Sequence, residues 1–124
     1  MEDLIFWLYL CNAVLLINHE IDSAYWKEWE LFGLPGGISG FLILHFPLLG
    51  LVLYGLVLVY ARSFAGLIFS LMLSAGGMAA LAIHSYFIAR GRPQFKTPVS
   101  IAILVSTGIL SAGQAVATVI LMAR

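Results

Sequence analysis

The chain lacks most of what soluble and secreted domains are built from. Cysteine occurs once, as Cys11 inside an apolar run, which excludes an internal disulfide framework and any Cys-x-x-Cys metal knuckle. Charge is scarce: Lys and Arg total six, Asp and Glu total six, and the formal net charge is zero. No basic block stands anywhere, so no nucleic-acid partner is expected. No polar linker or low-complexity stretch divides the 124 residues, and residues 1–124 are expected to form a single domain. The start of the chain has no basic n-region and no small-x-small cleavage signal. Glu2 and Asp3 stand there instead, so the first apolar segment reads as a retained helix rather than a signal peptide. What is present is hydrophobic: 62% of the residues, a composition typical of polytopic membrane proteins.

A membrane-crossing helix needs about 20 apolar residues, each adding about 1.5 Å. Ile38–Ala61, Phe64–Ala89 and Pro98–Met122 meet that requirement. The run Leu4–Ile17 is shorter, but its helical pattern continues through Asn18–Glu30. Turn chemistry separates the spans at Gly33-Leu-Pro-Gly-Gly37, Arg62-Ser63 and Gly91-Arg-Pro93, and Pro98 suits the first turn of the last helix. The expected fold is all-α, a bundle of four transmembrane helices. Pro47 follows His45 closely and predicts a kink there.

The basic residues set an orientation. Lys27, Arg90, Arg92 and Lys96 fall in the loops after the first and third spans, whereas Arg62 and Arg124 lie opposite with Glu2 and Asp3. The positive-inside rule puts the first group in the cytoplasm and both termini outside. Tyr25, Trp26 and Trp29 read as interface anchors on the cytoplasmic side.

Three histidines then fall at one depth. His19 precedes Trp26 by seven residues, His45 follows Ile38 by seven, and His84 precedes Arg90 by six. Each lies about 10 Å inside its helix end. Alone, each reads as a hydrogen-bonded contact between helices. Together, with Glu20, Asp22 and Ser23 beside His19, they favour a shared site, because ionisable groups inside a membrane are costly and carry function by default. Three imidazoles with an open fourth position make a zinc site, and iron or manganese becomes admissible if Asp22 or Glu20 also binds. The expected ligands are His19, His45, His84 and Asp22. A metal-bound water becomes a nucleophile near neutral pH. Asp22 would orient that water or take its proton, Ser23 would hydrogen-bond the water or an oxyanion, and Glu20 is a further candidate catalytic residue. The substrate would be a lipid-like amide or ester arriving sideways from the bilayer.

Other residues receive structural readings. Glu28 and Glu30 are expected to be solvated at a helix end, and Cys11 to be a packing residue. Ser100, Thr107, Ser111, Gln114 and Thr118 form a polar stripe on the last helix, with Gln114 as glue between helices. Gly77 and Ala80 share a face with His84, and Gly108 with Ala112 makes a small-xxx-small pair.

The stretch His19-Glu-Ile-Asp-Ser-Ala-Tyr-Trp-Lys-Glu-Trp29 resembles the signature of a small bacterial membrane family of unknown function. That resemblance covers most of the chain, implies a four-helix protein of the bacterial inner membrane, and brings no assigned activity. The inventory of three histidines, an aspartate and a serine is also similar to that of the intramembrane zinc amidases, the alkaline ceramidase and adiponectin-receptor group. Those proteins have seven spans and a closing His-x-x-x-His pair that this chain lacks, so the likeness is one of chemistry.

Three alternatives stand beside the hydrolase. A b-type haem would be held by His45 and His84, with Arg90 and Arg92 near its propionates and Gly76-Gly77 making room. A proton or metal-ion transporter would use His19, Asp22 and His84 as relay groups. A lipophilic-ligand binding protein would perform no chemistry. Membrane lipids or a lipophilic small molecule are the expected partners, and a homodimer would complete a site that four helices enclose narrowly.

Overall fold

A computed structural model describes all 124 residues and contains five helices: α1 Glu2–Tyr25, α2 Glu28–Leu31, α3 Gly37–Tyr60, α4 Phe64–Ala89 and α5 Pro98–Met122. The four long helices are each long and apolar enough to cross a membrane, which makes the chain an integral membrane protein. Their outward faces carry large apolar side chains such as Ile43, Val57, Ile109 and Val116, as contact with lipid requires.

α4 packs most closely on α5, α1 packs on α5 and α3, and α3 packs on α4. α3 and α5 do not touch, and α1 meets α4 across the diagonal. One end of the bundle therefore carries the α1–α3 and α4–α5 connections, and the other carries both termini and the α3–α4 turn. At that second end Arg62 pairs with Glu2 at 2.9 Å and Asp3 at 3.1 Å, fastening the turn to α1.

Local chemistry sets the helix starts. The Ser63 hydroxyl accepts from the Gly66 amide at 3.0 Å and opens α4. Thr97 accepts from the Ser100 amide at 3.1 Å, with Pro98 behind it, and opens α5. The expected continuation of the first helix to Glu30 is corrected: α1 ends at Tyr25, Lys27 takes a left-handed φ of 53°, and α2 begins afresh. Pro47 does not interrupt α3, which runs unbroken from Gly37 to Tyr60.

The middle and far half of the bundle is locked by a polar network on the α5 stripe. Asn12 Nδ2 donates to Ser111 Oγ at 2.9 Å and to Gln114 Oε1 at 3.0 Å. Gln114 Nε2 donates to the Ser70 carbonyl and hydroxyl, both at 3.0 Å. Thr118 donates to the Gln114 carbonyl, which leaves Ser70 Oγ to donate to Thr118 Oγ1 at 2.8 Å. Gln114 is the glue between α1, α4 and α5 that the sequence predicts.

Small residues let α4 and α5 approach. A Cβ at Gly77 would collide with Ser111 Oγ and stand 2.9 Å from Thr107 Cγ2, whereas one at the neighbouring Gly76 would meet nothing within 4 Å. Gly77→Ala is accordingly expected to cost about 1–3 kcal/mol, the range for overpacking, while Gly76→Ala is expected to cost nothing and to gain up to about 1 kcal/mol from better helix propensity. Thermal melting of the two variants in detergent checks this; equal melting points would refute the close approach.

Candidate metal centre

The site begins with the break after α1. After the left-handed Lys27 a new helix starts, and its first residue, Glu28, lies against Ser23 of α1 and His84 of α4. Its Oε1 lies 3.2 Å from His84 Nε2. His19 completes the group: one ligand atom from each of His19, Glu28 and His84 lies within 4.8 Å of the others. Both histidines are buried, at 3% and 2% exposure. The expectation that Glu28 is solvated is thereby corrected, since its side chain is 13% exposed. Glu30 does face solvent, beside Lys27.

Burial alone would push the Glu28 carboxyl up; His84 outweighs it, aided by Ser23 and the charge of His19, and Glu28 is held below the usual carboxylate range. Ser23 favours the charged form by proximity, although its hydroxyl closes no hydrogen bond of good geometry.

Phe95 roofs the two imidazoles. Its ring centroid lies 5.6 Å from that of His19 and 4.2 Å from that of His84, and the two imidazoles meet edge-on at 4.7 Å. Phe95 is buried although its φ is +63°. A bulky residue in that region costs about 1–2 kcal/mol, and burying a Phe ring returns roughly 2–3 kcal/mol, so packing wins and the loop folds inward.

His45 reaches the same end but is not in this group. Its Nδ1 lies 2.6 Å from the Phe41 carbonyl, and its Nε2 lies 2.5 Å from Glu20 Oε2. A carbonyl only accepts, so Nδ1 carries a proton, and the contact between Nε2 and Glu20 holds one further proton on one of the two atoms. Glu20 and Glu28 both line the cavity that reaches His19 and His84 and a second one that reaches His45. The two clusters are thus neighbours.

Six of the eight buried side-chain atoms without a hydrogen-bond partner are at this end: His19 Nδ1, Asp22 Oδ2, Ser23 Oγ, Trp26 Nε1, His84 Nδ1 and Gln94 Oε1. Buried polar atoms are nearly always satisfied, so such a concentration points to a ligand. Asp22 and Ser23, expected beside the metal, therefore border the cluster without being tied up elsewhere. Glu28 is the residue that sequence reasoning missed.

Fold and cluster together define a class: an integral membrane protein of four spans with a buried His–Glu–His group at one end, able by its donor atoms to hold a metal ion. The chain belongs to a family of unknown function, DUF6713, whose profile matches residues 5–121. No curated protein and no solved structure matches it.

Proposed function

We propose that His19, Glu28 and His84 hold one transition-metal ion, zinc foremost, and that the protein uses it to hydrolyse a lipid-like amide or ester. The observation that carries this reading is the concentration of unpartnered buried polar atoms at the end of the bundle that holds two buried imidazoles and a carboxylate close together. Two histidines and a glutamate with a fourth position open form a known catalytic zinc donor set. Iron and manganese accept the same donors. Donors about 2.0 Å from a tetrahedral metal stand about 3.3 Å apart. The His84–Glu28 contact of 3.2 Å already has that spacing, and a His19 donor lies within 4.8 Å of both.

A bound metal would lower the pKa of a coordinated water to about 7. Glu20, which lines the same cavity and is held by His45, would be the group placed to take a proton there. Ser23 would donate to the water or to the developing oxyanion, and Asp22 would accept from the water.

The rival readings draw less support. A proton path would need titratable groups below the histidines, and the core there is a neutral network whose hydrogen bonds run between Asn12, Ser70, Ser111, Gln114 and Thr118. For haem, both ring nitrogens of His45 are already engaged.

Metal-loaded protein in lipid, assayed with long-chain amides and esters, tests the reading. Turnover is expected, with Glu20→Gln keeping its metal and losing about 10²–10⁴-fold in rate. Metal-loaded protein inert toward every member of the panel would overturn hydrolysis.

For orientation, we place the metal end at the cytoplasmic face, because Lys27, Arg90, Arg92 and Lys96 flank it. A cysteine at Lys96 is expected to resist an impermeant thiol reagent applied from outside, and one near either terminus to react. The opposite pattern would invert the topology.

A further inference from the structure

An apolar groove of about 350 Å³ descends from the metal centre along α1, between α3 and α4. Its upper end is polar, with His19, Glu20, Glu28 and His84; everything below is apolar except the Tyr9 hydroxyl. That hydroxyl is committed to the Val52 carbonyl at 2.8 Å, which ties α1 to α3 across the lower end. Tyr9 and the Phe69 ring also press together over Gly55, where even a Cβ would collide with both. The groove is closed below. Its flanks are Leu51, Met72 and Ile83, each exposed on the lipid-facing surface, so it opens sideways into the bilayer.

We infer that this groove holds one straight acyl chain, head uppermost, and that its depth selects chain length. The chemical head of this ligand rests on the function proposed above; the chain does not. From Tyr9 to His19 is ten residues of α1, and from Phe69 to His84 fifteen of α4, or about 15 and 22 Å at 1.5 Å per residue. A straight chain with C–C bonds of about 1.52 Å and angles near 111° advances about 1.25 Å per carbon, so about 12–18 carbons span that depth. The volume agrees: at about 30 Å³ for each water-sized group, 350 Å³ admits one chain of about a dozen methylenes and no second. The head is not cationic. On that proposed function Glu28 belongs to the metal and Glu20 is paired with His45, so no free carboxylate is left for a cationic head. An amide or ester, with a carbonyl to accept and an apolar tail, fits.

The test is photolabelling in lipid nanodiscs with a 14-carbon primary amide carrying a diazirine at its tail end, competed by unlabelled amides of 8, 14 and 20 carbons. Protein is labelled both as isolated and after chelation. Adducts are expected at Tyr9, Val52 and Phe69, with the 14-carbon competitor at least about tenfold more effective than the other two. Gly76→Leu, whose side chain enters open groove space, is expected to abolish these adducts. Phe69→Ala, which deepens the floor, is expected to move the optimum toward the longer chain. Adducts spread over Ile109 and Val116 on the outer face of α5, or competition indifferent to length, would overturn the inference. A length preference that survives chelation supports the groove whatever becomes of the metal. Metal retained without any length preference overturns the groove and leaves the proposed function standing.

Discussion

Glu28→Ala, His19→Ala and His84→Ala should each lose most of the bound metal, while His45→Ala keeps it. The contrast follows from geometry. The first three residues offer donors within 4.8 Å of one another, whereas both nitrogens of His45 are spent on Phe41 and Glu20. Structural zinc binding is worth about 10–16 kcal/mol for four ligands, so one ligand carries about 3 kcal/mol, more than a hundredfold in affinity. His45 acts on the site only through Glu20, and such outer partners are worth about 10–100-fold at most. Titrating each variant against a chelator of known affinity measures the difference. Equal weakening in all four variants would restore His45 to the ligand set.

The second large effect concerns stability. Gln114→Leu removes a side chain that bridges α1 and α4, leaving Asn12 Nδ2 with Ser111 Oγ alone and taking the Gln114 amide from the Ser70 carbonyl and hydroxyl. Hydrogen bonds between membrane helices are worth about 0.6–2 kcal/mol each, and three are lost, so a cost of about 2–4 kcal/mol is expected. The melting point should fall by about 10 °C or more, with metal stoichiometry unchanged because the network lies a helix half away from the centre. A melting point equal to that of the parent would show that the network contributes nothing to packing.

Much of this was legible from residue order. The last two helices begin and end where turn chemistry and caps put them, because Ser63, Thr97 and Pro98 act on their own neighbours and need no tertiary information. The common end of the three histidines follows from counting residues along spans of fixed rise. Glu28 was hidden for a definite reason. Nine residues separate it from His19, and on a continuous helix that is about 900°, or half a turn to the opposite face. The left-handed Lys27 breaks the helix and resets that rotation, and lysine carries no local signal for it. His45 shows the complementary limit. Its depth was readable, but its rotation about α3 and its neighbour Glu20 depend on how α1 and α3 meet. The groove was unreadable for the same reason, since its walls come from three helices.

The central claim is that the His–Glu–His group is a metal centre, and X-ray absorption with elemental analysis, on protein purified without added metal, tests it most directly. The prediction is one transition-metal ion per chain, coordinated by two imidazole nitrogens at about 2.0–2.1 Å and a carboxylate oxygen at about 2.0–2.2 Å. A protein that carries no metal and takes none up on titration, or one whose metal shows a third imidazole and no carboxylate, would contradict the account.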